Sequence, residues 1–387
     1  MPPDTPLSRA AAAAGPKLIA HCRAGFEPEA AADLLHLADG AGTALDIDAP
    51  PGRGFVVGRP AHFDRTRWTK ALADAKTIFV RSLFVGDGPH VLFDPARTKG
   101  RPDRVVPLAV LIEALRGNPP LRAAATSPAF SELRLETADT NDGKELSGLC
   151  RALAAPLAQS LHESGALVED AGTRERLPRP RLHVLFVDGA HVYVGISTPP
   201  WSSPWPMGIP RLRMPREAPS RSTLKLAEAF VAFLGEREPD LLRAGMKAVD
   251  LGAAPGGWSW QLAHRGLRVT AIDNGPLKGE IAQDSLVTHL TVDGFTYRPR
   301  RPVDWMVCDI VEQPTRIATL VGRWIADGHA RRTIFNLKLP MKRRYDEVRR
   351  CETLINEAIA SAGVRHTLLL RHLYHDREEV TGYCARE

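Results

Sequence analysis

Asp250-Leu251-Gly252-Ala253-Ala254-Pro255-Gly256-Gly257-Trp258-Ser259 is the stretch that decides the fold of this chain. It follows the apolar run Met246–Val249 and precedes Trp260-Gln261-Leu262-Ala263-His264-Arg265, which reads as a helix. An acid ends a strand, the glycines let the backbone turn tightly, and a helix starts over the space this opens. Glycines let backbone N–H groups approach a small ligand without side-chain collision. The spacing fits neither the dinucleotide pattern G-x-G-x-x-G nor the phosphate-binding G-x-x-x-x-G-K-[ST]. A loop without a phosphate-pairing lysine suits a nucleoside without phosphates, and S-adenosylmethionine is the candidate. An ordinary strand-turn-helix connection is the alternative that glycines alone leave open.

Around this loop, the 387 residues leave room for roughly two or three domains. Apolar residues make up 44% and charged residues 25%, an ordinary balance for a globular protein. No apolar run approaches the ~20 residues that cross a bilayer, so no membrane association is expected. The Pro/Ala-rich residues 1–16 lack a basic start followed by a long apolar region. They are expected to be a disordered tail and not a signal peptide. Cys22, Cys150, Cys308, Cys351 and Cys384 show no CxxC spacing, which argues against a zinc site or a disulfide framework and fits a reducing cytoplasm. Cys308, inside an apolar run, reads as a core residue. The net charge of +6 suits a polyanionic partner. Basic residues cluster at Arg298, Arg300 and Arg301, at Arg331 and Arg332, at Lys342, Arg343 and Arg344, and at Arg349 and Arg350. Four clusters in one domain favour an RNA-facing surface over solvated charge alone.

Three blocks follow the tail. Residues 17–95 carry a strand at Lys17–Cys22, a helix at Pro28–Leu37 and strands near Gly54–Gly58 and Thr77–Val85, the pattern of a small α+β domain. Residues 96–197 hold a strand at Leu133–Glu136, a polar turn that caps a helix through Ser147–Ser160, and two strands joined at Asp188-Gly189-Ala190. The segment Arg174–Arg181 mixes prolines with arginines and reads as an exposed loop. Residues 198–220 form a proline-rich linker with Trp201 and Trp205, which excludes regular helix or sheet. Residues 221–387 alternate strand and helix, with strands at Ala248–Leu251, Val269–Ile272, Leu286–Val292, Trp305–Ile310, Thr333–Leu337 and His366–Leu370. This is a doubly wound sheet, whose ligands lie beyond the carboxyl ends of the strands.

Charged residues fall at those ends. Asp273 follows the second strand, where an acid can bond ribose hydroxyls, and Asp293 follows the third, within reach of an adenine edge. Asp309 ends the fourth strand and Lys338 the fifth, so a carboxylate and a lysine should point into one crevice. A structural ion pair capping the sheet is the bland alternative. A lysine near its usual pKa of ~10.4 is protonated and cannot accept a proton. Burial and a second lysine, for which Lys225 is the candidate, lower that value, while Asp309 pushes it the other way.

The glycine loop closely resembles the first cofactor motif of the FtsJ-type ribosomal RNA 2′-O-methyltransferases. Ser220-Arg221-Ser222-Thr223-Leu224-Lys225-Leu226, Asn336-Leu337-Lys338-Leu339-Pro340-Met341-Lys342 and Tyr374-His375-Asp376-Arg377-Glu378-Glu379-Val380-Thr381 look like the large-subunit ribosomal RNA methyltransferase M family. Cys22-Arg23-Ala24-Gly25-Phe26-Glu27, the segment from Glu136 to Leu146, and Met207-Gly208-Ile209-Pro210-Arg211-Leu212 extend the resemblance over most of the chain. It implies a Rossmann-like α/β methyltransferase domain with a mostly parallel seven-stranded sheet, preceded by ferredoxin-like and THUMP RNA-binding domains. It implies transfer of methyl from S-adenosylmethionine to a cytidine 2′-hydroxyl in 23S ribosomal RNA, free or in an assembling particle, by a monomer without metal. The implied catalytic residues are Lys225, Asp309, Lys338 as proton acceptor, and Glu379, chosen over Glu378 because it directly precedes the valine. Ser222, Ala254, Pro255, Gly256, Gly257, Asp273, Asp293 and Asp309 are the implied cofactor contacts. Many relatives have cysteine at the place of Ala254, and the tail before residue 17 is extra.

Two other readings compete. A THUMP-containing tRNA base methyltransferase acting on exocyclic amines should carry an Asn/Asp-Pro-Pro-Tyr-type motif after the fourth strand, where this chain has Asp309-Ile310-Val311-Glu312. A non-catalytic RNA-binding assembly factor would not need Lys225, Asp309 and Lys338 together.

Overall fold

The computed structural model describes residues 15–74, 76–117, 129–168, 180–198 and 202–387. Most of the expected tail, nearly all of the loop at 174–181 and Trp201 lie outside the described residues. The chain forms two compact units, one ending at Ile209 and the other beginning at Pro210.

The first unit contains strands β1 (Lys17–His21), β2 (Leu45–Asp48), β3 (Phe55–Pro60), β4 (Ser82–Val91), β5 (Glu132–Thr137), β6 (Arg181–Phe186) and β7 (His191–Ser197). All seven join one sheet in the order β2-β3-β1-β4-β7-β6-β5. Both N-terminal blocks therefore feed a single sheet, across the antiparallel pair β4 and β7, with Val85 opposite Ile196. The N-terminal part of β4 is buried, and a buried strand cannot leave its edge amides unpaired. The helices are α1 (Glu27–Ala41), α2 (Arg65–Asp74), α3 (Val105–Arg116) and α4 (Asn141–Glu163). Thr140 caps α4 by accepting from the Gly143 amide at 3.0 Å, as the polar turn predicts.

One expected strand shifts. The apolar pattern suggests Thr77–Val85, yet β4 starts at Ser82. Buried Asp33 on α1 accepts from the amides of Ile78, Phe79 and Val80 at 2.8, 2.6 and 3.0 Å, which bends the segment out of sheet geometry.

Part of the linker is fastened to this first unit. Buried Arg134 donates to the carbonyls of Ser203, Pro204 and Trp205 at 2.8, 3.1 and 3.1 Å. Glu136, also buried, accepts from the Met207 amide at 2.6 Å. Prolines supply no amide donors, so their neighbours' carbonyls are open to such a guanidinium.

The second unit contains α5 (Thr223–Phe233), β8 (Lys247–Leu251), α6 (Gly257–Ala263), β9 (Arg268–Ile272), β10 (Val287–Leu290), β11 (Val303–Cys308), α7 (Pro314–Ala326), β12 (Ala330–Lys338), α8 (Arg344–Ser361), β13 (His366–Arg371) and β14 (Glu379–Arg386). Its sheet runs β10-β9-β8-β11-β12-β14-β13. The first five of these pair in parallel, and β14 lies antiparallel between β12 and β13. The strand order reverses at β8, with β9 and β10 on one side and β11 and β12 on the other, which opens a crevice at the carboxyl ends between β8 and β11. Ile317, Leu320, Val321, Trp324 and Ile325 recur at helical spacing on α7 and are all buried. Each such side chain stabilises the fold by about 1.5–3 kcal/mol when fully buried. Cys308 is fully buried, and burial pushes its thiol up to about 12, in keeping with a core role.

Candidate active site

The glycine loop connects β8 to α6. Gly256 sits at φ +113°, a conformation that L side chains rarely adopt, and α6 begins at the next residue. A Cβ on Gly257 would strike the Ser222 hydroxyl and lie 2.7 Å from that of Ser220. Ser222 is thus pressed against the loop, bonded to Ser220 at 2.7 Å and accepting at its carbonyl from Trp258 Nε1 at 3.0 Å. Ala254 and Pro255 are half-buried, whereas Gly256 and Gly257 are buried.

Acids gather around this loop. Asp273 Oδ2 accepts from the Ala254 amide at 2.9 Å and Oδ1 from the Gly275 amide at 2.7 Å, so the carboxylate shapes the loop itself. Asp250 is fully buried; its Oδ2 accepts from Ser259 Oγ at 2.7 Å, and its Oδ1 has no hydrogen-bond partner. Burial pushes its carboxyl up to about 7, opposed by the Ser259 bond and helped by the charges of Asp309 and Asp273. Asp293 lies exposed at the rim, accepting from the Phe295 amide at 2.9 Å. A ring of carboxylates beside a loop with no lysine repels phosphates. It suits a nucleoside with ribose hydroxyls and positive charge, and the orphaned Asp250 oxygen fits that donor-rich chemistry. S-adenosylmethionine has both features.

Four charged side chains from four separate elements meet next to this loop. Lys225 comes from α5, Asp309 follows β11, Lys338 ends β12 and Glu379 opens β14. Lys338 Nζ lies 2.5 Å from Asp309 Oδ1 and pairs also with Glu379. Lys225 pairs with Glu379 and lies 3.6 Å from Asp309 Oδ2. The register of β12 and β14 accounts for one contact, since Lys338 stands directly opposite Glu379. Glu378 faces away and pairs with Arg344 at 2.9 Å.

Burial is the largest influence on Lys338 and disfavours its charge, yet Asp309 and Glu379 outweigh it and hold the ammonium above the usual lysine range. The balance left open between burial and the neighbouring acid falls on the side of the carboxylates. Lys338 is the protonated form in this chain by itself.

Sequence reasoning missed a buried polar cluster behind this tetrad. Asn336 Nδ2 donates to Asp309 Oδ1 at 2.9 Å, and Thr381 Oγ1 lies 2.8 Å from both Asn336 Oδ1 and Asp376 Oδ2. Asn336 and Thr381 pair in register two positions from Lys338 and Glu379, a pairing that no local pattern in either strand announces.

A groove of about 720 Å³ opens beside Lys338, lined among others by Pro314, Pro340, Lys342, Arg343 and Arg350. Of the basic clusters, Arg343, Arg349 and Arg350 pair with Asp346, Glu352 and Glu347, so part of that charge is locally compensated. Lys342, Arg298, Arg300 and Arg301 are exposed. Among the described residues no group of three His, Cys, Asp or Glu could hold a metal ion, and no helix is long and apolar enough to cross a membrane.

Comparison with known proteins settles the family. Residues 103–198 match the model of the N-terminal region of ribosomal RNA large subunit methyltransferase M, and residues 218–352 match the FtsJ-like methyltransferase model. The chain is 47% identical to ribosomal RNA large subunit methyltransferase M of Aromatoleum aromaticum, across 99% of this chain and 98% of that protein. It belongs to the ribosomal RNA large subunit methyltransferase M family. Members from Methylococcus capsulatus and Cellvibrio japonicus are 47% and 45% identical, each across 95% of this chain and 97% and 98% of their own lengths. The family's FtsJ-like segment contains Lys225, the glycine loop, Asp309 and Lys338, whereas Glu379 lies beyond its matched end.

Proposed function

We propose that this family member transfers methyl from S-adenosylmethionine to the 2′-hydroxyl of a cytidine in 23S ribosomal RNA, in the bacterial cytoplasm. One observation carries the reading: two lysines and two carboxylates interlock beside a glycine loop at the carboxyl ends of a parallel sheet. When bound, the cofactor supplies an activated methyl group. Ser222, residues 254–257, Asp273, Asp293 and Asp309 are the side chains and backbone that would hold it.

Lys338 in its neutral form takes the proton of the 2′-hydroxyl. Asp309 and Glu379 stabilise the ammonium that forms, at the cost of leaving little neutral lysine beforehand. Lys225 shares the charge of Glu379 and keeps that carboxylate turned toward Lys338. The groove beside Lys338, with exposed Lys342 at its wall, is where an RNA strand would present its ribose. A base methyltransferase has no comparable need for a lysine between two acids, and Asp309-Ile310-Val311-Glu312 offers no aromatic to stack on an extruded base.

The test is mass-spectrometric mapping of ribose methylation in 23S RNA from cells with and without the gene, followed by restoration with the purified chain. One 2′-O-methylcytidine lost and restored supports the reading. A base methylation lost in its place, or no change, overturns it.

A further inference from the structure

The buried cluster behind the tetrad has a fixed hydrogen-bond polarity that can be worked out from one end. Asp309 contacts two ammonium groups and is a carboxylate, which only accepts. The atom of Asn336 facing it at 2.9 Å is therefore the amide nitrogen, and the amide oxygen faces Thr381. Thr381 has a single hydroxyl proton and must give it to that oxygen at 2.8 Å. Its remaining contact, Asp376 Oδ2 at 2.8 Å, must then be a donor, and a carboxyl donates only as the acid. The Leu373 amide, which donates to the same Oδ2 at 3.0 Å, is compatible, because a carboxylic O–H oxygen keeps lone pairs.

We propose that Asn336, Thr381 and a protonated Asp376 form a positioning relay that fixes the plane of Asp309 and thereby seats Lys338 for the reaction. Asn336, Thr381 and Asp376 are all fully buried and do not touch the substrate side of the site. Burial pushes the Asp376 carboxyl up to about 8, with the charges of Glu379 and Glu228 adding to the effect, which agrees with the proton the geometry requires. With Asn336 on Oδ1, the Asp309 carboxylate is locked with Oδ1 on Lys338 and Oδ2 toward Lys225. Without the relay the amide can turn over, put its oxygen against the carboxylate and tilt Asp309 away from Lys338. The relay rests on the catalytic reading above.

The test compares the full chain with Thr381→Val and Thr381→Ser, using 23S RNA from cells that lack the gene. Thr381→Val should lower kcat roughly 10- to 100-fold, the penalty of misplacing a catalytic group by about an ångström, with KM for RNA and cofactor affinity unchanged. Thr381→Ser, which keeps the hydroxyl, should restore kcat. Native kcat in Thr381→Val, or equal loss in Thr381→Ser, overturns the relay. The native chain runs in the same assay; if it transfers no methyl, the catalytic reading itself falls. Carboxyl carbon NMR of the native chain near pH 6, assigned by loss of the signal in Asp376→Asn, needs no active variant. It should show Asp376 as the acid, and an ionised Asp376 at that pH also overturns the relay.

Discussion

Replacing Gly256 with alanine tests the cofactor loop through a cost the structure makes calculable. At φ +113° an L residue carries backbone strain of about 1–3 kcal/mol. The new methyl would also lie 2.6 Å from Ile281 Cγ2, and Ile281 is only 3% exposed, so it has little room to retreat. Loop strain has two outlets: it lowers the stability of the free chain, or the loop relaxes into a shape that no longer fits the cofactor. Every ~1.4 kcal/mol expressed in the second way weakens binding tenfold. Calorimetric titration with S-adenosylmethionine and thermal unfolding of the free chain should therefore show losses that together reach about 1–3 kcal/mol or more. Gly235→Ala serves as the control, because its φ is +52° and nothing lies within 4 Å of its Cβ. It should cost stability while leaving cofactor affinity intact. If Gly256→Ala kept both native affinity and native stability, the loop conformation and its role in binding would be misread.

Lys338→Ala should keep cofactor affinity and lose ~10²–10⁴-fold in methyl transfer, as expected for loss of a general base. Lys338→Arg should not rescue, because a guanidinium stays protonated; substantial activity in it would make Lys338 a fixed charge. Since the carboxylates raise the Lys338 pKa, the native rate should climb with pH and flatten near pH 8, where Asp376 is about half ionised; a pH-independent rate would contradict both assignments. The fragment 210–387 should bind cofactor but act poorly on RNA, and RNA affinity of the full chain should fall steeply with salt, because phosphate contacts release counterions; full activity of the fragment would refute the division of labour. Asp250 is held neutral by burial to about pH 7, while its unfolded counterpart ionises near 4. Its raised pKa therefore costs stability progressively as pH rises from about 4 to 7 and no further above that, so Asp250→Asn should gain on the native chain over that window, read by denaturant titration.

The parts of the site that the sequence declared were those with local signatures. Asp250 through Ser259 announces its turn because glycine spacing is a backbone requirement, and Asp309 and Lys338 stand out as charges ending apolar runs. Glu379 was separable from Glu378 only by resemblance, because choosing between adjacent acids depends on which face of β14 meets β12, a matter of long-range register. The same cause hid Asn336, Thr381 and Asp376, which look unremarkable until two strands 41 residues apart at the Lys338–Glu379 pair are laid side by side. Asp33 was invisible for a related reason: its three amide partners lie more than 40 residues away along the chain. The apolar rhythm at 77–85 predicts strand, and it cannot report a carboxylate arriving from another helix.

The pairing of β12 with β14 places Lys338 against Glu379 and Asn336 against Thr381 on the same face, two residues apart. A slip of one residue would carry Glu379 and Thr381 to the far side together. The Lys338–Glu379 pair and the Asn336–Thr381 pair therefore form, or fail to form, together. One feature of backbone pairing thus sets two side-chain contacts from different chemistries, an ion pair and a hydrogen bond, at a single stroke.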